Sequence, residues 1–222
     1  MELNAEEARV IGCLMEKAVT TPDQYPLTLN SLTTACNQKS SRDPMMRLNH
    51  GDVQRLCNQL KDKHLISIES GFKNGAEKYT QRFCNTLLSE VQFDEAEYAI
   101  VCLLLLRGTQ TPGELRSRSG RLHNFEDSQQ VVESLKALIA REGGSIVARL
   151  PKKTGRQDHE YSHLLQGDVE SVSEDLQVVQ RVPVAGRDQQ ISKLEARIDA
   201  LENALIRLGE QLGEEVDLRG SS

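Results

Sequence analysis

Apolar residues recur at helical spacing in several stretches of the chain, and two of these stretches are followed by segments that alternate like strands. Ala8, Ile11, Leu14, Met15 and Val19 share one side of a helix opened by the N-x-x-E pattern Asn4 to Glu7. The two prolines in Thr20 to Leu27 predict a loop, after which Thr28 caps a short helix bearing Leu29, Leu32 and Cys36. A polar connector, NQKSSRDP, leads to Asn49, which with Asp52 opens a helix carrying Val53, Leu56, Cys57 and Leu60 on one face. Gln54, Arg55, Asn58 and Asp62 fall on or near the other face. His64 to Glu69 and Glu77 to Phe83 then read as strands joined by the turn residues GFKNG.

From Leu87 the plan starts again. Asp94 and Glu97 cap a helix stopped by Gly108, and Thr111, Pro112 and Glu114 open a short second helix. A third runs from Ser128 to Glu142 with Val131, Val132, Leu135, Leu138 and Ile139 inward. Ser145 to Leu150 and His159 to Leu165 complete a hairpin. A shift of 79 residues lays Val53, Leu56 and Leu60 on Val132, Leu135 and Ile139, so one supersecondary unit is read as duplicated.

Helix, helix, hairpin is the order of a winged helix-turn-helix. The expected fold is α+β, mainly α: two tandem winged helix-turn-helix domains at 1–86 and 87–165, then a C-terminal coiled-coil helix. Residues 166–190 turn acidic and polar around Pro183 and Gly186 and read as a linker. Between 191 and 213, Ile191, Leu194, Ile198, Leu201, Leu205, Leu208 and Leu212 alternate at intervals of three and four, a heptad seam. That seam predicts a parallel homodimer through 191–212, with packing back onto the globular part as the alternative; 214–222 reads as a disordered tail.

Composition narrows the chemistry. Aromatics are 4% of the 222 residues and Trp is absent, which disfavours a base-stacking mode of single-strand binding. The five cysteines are widely spaced with no CxxC pair, and read as buried free thiols in a reducing cytosol. The first residues lack a basic and apolar leader pattern, and the longest apolar run, Ala99 to Leu106, is too short to span a bilayer. These features predict a cytoplasmic protein with no membrane role.

The net charge of −6 is unevenly distributed: 38–82 and 107–163 are locally basic, while the segments around them are acidic. A duplex DNA interface is therefore expected on the first unit, with Gln54, Arg55 and Asn58 reading the major groove. Lys39, Ser40, Ser41, Arg42, Lys73 and Lys78 are placed to grip phosphate. In the second unit the third helix turns Gln130, Glu133, Ala137 and Ala140 outward, which offers little to base edges. Its cations sit at Arg116, Arg118 and Arg121 and at the wing residues Lys152, Lys153 and Arg156, suited to backbone contact or to a protein partner.

His159 to His163 reads HEYSH and fits the zinc-protease pattern, but that chemistry needs a helix, where residues four apart share a face. On a strand the two histidines lie roughly 13 Å apart and cannot share one ion. No nucleophile elbow, phosphate loop or paired-carboxylate arrangement is present, so the chain is expected to be neither an enzyme nor a cofactor or metal protein.

The runs TTPDQYPLTLNSL, ACNQKSSRDP, LLLLRGTQTPGELRSRS and EYSHLL resemble those of the YceH-like proteins, an uncharacterised bacterial family. The resemblance spans roughly 5–165 and implies the tandem winged-helix fold, with no catalytic residue to carry over. Two functions follow as expectations: a DNA-binding, transcription-regulating homodimer, or a protein-interaction module with no DNA role.

Overall fold

In the computed structural model the residues described are 2–71, 75–87, 89–152 and 158–166. The fold is α+β, built among these residues from six α-helices and two small antiparallel sheets. The predicted phosphate contacts Lys73, Lys153 and Arg156, the expected linker 166–190 beyond residue 166, the expected heptad helix 191–213 and the expected tail 214–222 lie outside the described residues.

Helix α1 (Ala5–Thr20) starts where the Asn4 side chain accepts the Glu7 N–H at 2.8 Å and Glu7 accepts the Asn4 N–H at 2.9 Å. This reciprocal capping satisfies two otherwise orphaned donors. Every residue from Glu7 to Glu16 is buried, so α1 is enclosed on all sides over its middle, where the sequence suggested one apolar face. Its second covered side packs on α4 (Glu95–Arg107), which is buried without interruption from Ala99 to Leu106. Gly12 permits this crossing: a Cβ there would lie 2.9 Å from Leu106 Cδ2 and 3.1 Å from Leu105 Cβ. Tyr98 Oη donates to the Met15 carbonyl at 2.9 Å across the same seam.

Helices α2 (Leu29–Cys36), capped by Thr28, and α3 (His50–Asp62), capped by Asn49, pack on α1. Strands β1 (Leu27–Thr28), β2 (Ile66–Gly71) and β3 (Gly75–Gln81) form a sheet in the order β1-β3-β2. The register puts Tyr79 opposite both Leu27 and Ile68. Thr20 to Leu27 is thus not wholly loop: Pro22–Gln24 makes a 3-10 turn and Leu27 begins a strand.

The second module repeats these devices. Helix α5 (Pro112–Ser119) is capped by Thr111 with Glu114, and α6 (Ser128–Ile139) by Asp127. Strand β4 (Val147–Arg149) pairs with β5 (Tyr161–His163). Gln110 bridges Tyr161 through bonds of 3.0 and 2.8 Å, just as Leu27 pairs with Tyr79. The caps Asn49 and Asp127 stand 78 residues apart, and at that shift Val53, Cys57 and Leu60 fall on Val131, Leu135 and Leu138, all buried. The correspondence of the two third helices is therefore 78, one less than the apolar pattern suggested. The described parts of both modules share one hydrophobic cluster, and Leu3 N–H donates to the Leu165 carbonyl at 2.6 Å, tying the first residues to the last of the second hairpin.

Candidate nucleic-acid interface

Helix α3 owes its orientation to its buried row, Val53, Leu56, Cys57 and Leu60. With that row held against α1, Arg55, Asn58 and Gln59 are exposed and Gln54 is half-buried. Arg55 keeps 62% of its side chain accessible and meets Asp52 at 3.5 Å, an exposed pair of little energetic weight. His50 Nε2 lies 3.1 Å from Asn30 Oδ1, which links the first turn of α3 to α2.

A shallow cleft of about 440 Å³ runs beside Gln54, lined by Thr28, Leu29, Asn30, His50, Ala76 and Glu77. Two of the lining side chains hold the buried Tyr79 hydroxyl, which lies 2.8 Å from Glu77 Oε2 and 3.1 Å from Gln54 Oε1. A phenol has one proton, which goes to the carboxylate. Burial, reinforced by Glu77, pushes the Tyr79 hydroxyl well above the usual phenol range. The pattern EKYTQRF held the signal for this contact, since its alternation sends Tyr79 inward toward the helix.

The phosphate-contact residues separate. Lys39 and Ser40 are exposed, Lys78 is half-buried, and Ser41 is half-buried with a positive φ of 60°. Arg42 does not join them. Its side chain is fully buried and pairs with Glu16 through contacts of 2.6 and 3.1 Å, while Nε donates to the Ala35 carbonyl at 3.0 Å. Arg42 anchors the connector to α1, and its charge is spent inside the protein. Arg9, which no periodicity flagged, is also buried and donates to the carbonyls of Cys36, Pro44 and Leu106.

In the second module Arg116 is exposed but donates to the Glu126 carbonyl at 2.7 Å. Arg118 bonds Gln110 at 2.9 Å and Glu114 at 3.3 Å. Arg121 and Lys152 are exposed. On α6, Gln130 accepts the Glu126 N–H at 3.0 Å, and Glu133 accepts from Gln129 at 3.2 Å. Arg141 is held over the Phe93 ring and donates to the Gln92 carbonyl.

His163 lies on a strand and is buried, and burial pushes its imidazole down to about 4. HEYSH therefore has no helical geometry, and among the described residues no group of three or more His, Cys, Asp or Glu is placed to hold a metal. All five cysteines are free and buried, as read from the sequence. No helix of the described residues is long and apolar enough to cross a membrane.

The family model described as "Protein of unknown function, DUF480" matches residues 3–156. UPF0502 protein YceH of Escherichia fergusonii is 46% identical over 95% of this chain and 94% of its own length. UPF0502 proteins of Vibrio atlanticus (47% identical, 93% of this chain, 94% of its own) and of Shewanella sp. strain ANA-3 (48% identical, 96% of each) are similar over the same extent.

Proposed function

The chain belongs to the DUF480 family, with UPF0502 YceH among its relatives, and from that premise we propose that it is a tandem winged-helix protein that binds duplex DNA through α3. The observation that carries this reading is the outward side of α3: Arg55 and Asn58 exposed and Gln54 half-buried, beside the β2–β3 hairpin. Arginine and amide side chains on one helix face match the donor and acceptor pattern of base edges in a major groove. Lys39 and Lys78 supply phosphate contacts from the flanks. The second module contributes less to base reading, because its third helix presents Glu133 and Ala137 and Arg116 and Arg118 bond within the module. That face fits a protein partner or backbone contact. Regulatory function and a homodimer through 191–212 belong to the same proposal.

The test is affinity for mixed-sequence duplex DNA across a salt series. Binding is expected to weaken as salt rises, with a slope of about 0.9 for each phosphate contact. Arg55→Ala is expected to weaken binding by about 5- to 100-fold on a preferred sequence. Absence of binding at low salt, or an Arg55→Ala variant that binds like the wild type, overturns the reading in favour of the interaction module.

A further inference from the structure

An acidic side chain stands at the edge of the proposed reading surface. Strand β3 turns Tyr79 and Gln81 inward, and the alternation of a strand puts Glu77 on the same face. Tyr79 is fully buried, and its hydroxyl meets Glu77 Oε2 at 2.8 Å and Gln54 Oε1 at 3.1 Å. Among the described residues this is the one side-chain hydrogen bond joining α3 to the hairpin, so a single buried oxygen sets where Glu77 and Gln54 stand relative to each other. Glu77 itself is exposed, lines the same cleft as Gln54, and has no cation paired with it among the described residues. On a face that meets a polyanion such a carboxylate repels phosphate. What it offers in a major groove is an acceptor for the exocyclic amine of cytosine or adenine, and repulsion of the keto oxygens that thymine and guanine present at the same place. The phenol holds Oε2, which fixes the carboxylate and leaves Oε1 to accept.

The second module shows which part of this arrangement is scaffold. Tyr161 holds the place of Tyr79: it is buried, and it pairs with Gln110 as Tyr79 pairs with Leu27. Two residues before it, in place of Glu77, stands His159, whose Nδ1 lies 3.2 Å from the Leu150 carbonyl oxygen. Val132 stands in place of Gln54. The tyrosine belongs to the fold in both modules. The carboxylate and the amide gathered on its hydroxyl belong to the module whose third helix carries Arg55 and Asn58.

We propose that Glu77 is a specificity-determining residue that accepts the exocyclic amine of a cytosine or adenine beside the base contacts of α3, and that Tyr79 is the positioning residue that holds it there. The base preference rests on the reading of α3 above. Glu77 lowers affinity for duplex in general and recovers it only where an amine meets the carboxylate, so its contribution is a difference between sequences. Tyr79 acts through Glu77 and touches no base.

In the experiment the full chain selects duplexes from a random library, and the enriched site is remade with single transitions, C to T or A to G, that exchange an amine for a keto oxygen at one position at a time. At one position the exchange is expected to cost the wild type about 5- to 100-fold in affinity, and Glu77→Ala is expected to bring that ratio within about 2-fold. The other positions, including the one relaxed by Arg55→Ala, keep their ratios. Tyr79→Phe keeps the ring and removes only the oxygen; it is expected to lower the same ratio while far-UV circular dichroism and the ratios elsewhere stay as in the wild type. A tyrosine that only supports the fold would weaken all sequences alike, and that result, or a ratio that survives Tyr79→Phe intact, overturns the positioning role. A gain in affinity that Glu77→Ala shows equally on every duplex makes Glu77 a repeller of phosphate and overturns the base preference. Duplex binding that Arg55→Ala weakens, with no preference that Glu77→Ala changes, overturns the base preference alone. Absence of duplex binding at low salt overturns the reading of α3 and the base preference with it.

Discussion

Glu16→Gln tests whether Arg42 is an internal anchor or a surface cation. Arg42 is fully buried, Glu16 keeps 12% of its side chain accessible, and their contacts are 2.6 and 3.1 Å. Removing one member of a buried pair costs about 3–5 kcal/mol, because the other charge is left uncompensated. Glutamine still offers one acceptor oxygen, which places this substitution near the lower end. At about 2–4 °C per kcal/mol for a chain of this size, the thermal midpoint should fall by roughly 6–12 °C. Replacing both residues, Glu16→Leu with Arg42→Met, should recover most of the loss, since a buried pair exchanged for apolar packing is often neutral. Burial pushes the Glu16 carboxyl up, but the Arg42 hydrogen bond and charge outweigh it and hold it below the usual range. Its stabilisation is therefore complete above the unfolded value of about 4.3 and is lost as pH falls through the folded one, a slope that Glu16→Gln should flatten. Differential scanning calorimetry and urea titrations across that window read all three effects. Arg42→Ala should lower stability yet leave the salt slope of DNA binding unchanged, whereas Lys39→Ala should reduce that slope by about 0.9. A Glu16→Gln midpoint within 2 °C of wild type, judged against the roughly 2–4 °C per kcal/mol scale, refutes the reasoning. So does an Arg42→Ala variant that loses salt slope and keeps its stability.

Gly12→Ala would stabilise an ordinary helix by about 0.5–1 kcal/mol, but here the new Cβ meets Leu106 Cδ2 at 2.9 Å and Leu105 Cβ at 3.1 Å. Overpacking of about 1–3 kcal/mol should win, and a urea midpoint that rises would sink this account of the α1–α4 seam. His163 is pushed down to about 4 by burial, against about 6.5 when unfolded, so the unfolded chain binds more protons between those values. Stability should drop as pH falls from about 6.5 toward 4, by up to about 1.4 kcal/mol per unit, and His163→Leu should remove that component. Equal pH slopes in wild type and variant would show that the imidazole is not held neutral.

Capping was the most legible feature of the chain. The Asn4, Asn49, Asp94 and Thr111 boxes are local patterns, fixed by residues three apart, and each opens a helix. The outward side of α3 was legible for the same reason, because a clear apolar row fixes what lies opposite. Arg42 was not. Its loop composition says phosphate, and only the tertiary approach of Glu16, 26 residues earlier, takes it inside. Arg9 and Gly12 carried no periodic signal either, since they meet the connector and α4, partners as far as 97 residues away. The one-residue error in matching α3 to α6 has a plain cause. Val131 and Val132, like Leu138 and Ile139, are adjacent apolar pairs, and composition alone does not say which member is inward.

Aligned at 78, the two third helices keep their inward residues apolar while the outward ones change character: Gln54, Arg55 and Asn58 face Val132, Glu133 and Lys136. The difference follows from what each module's first helix does. Helices α1 and α4 hold equivalent places and pack on each other, so each is covered on the side a lone module would leave in water, which accounts for the unbroken Ala99 to Leu106 run. Arg9 closes that seam at its polar end, donating to Leu106 from the second module and to Cys36 and Pro44 of the first. Disturbing α4 therefore reaches the connector that positions α3 without touching α3 itself. On the proposed reading, the second module acts on DNA binding through this packing, and its own outward helix is left available for a different contact.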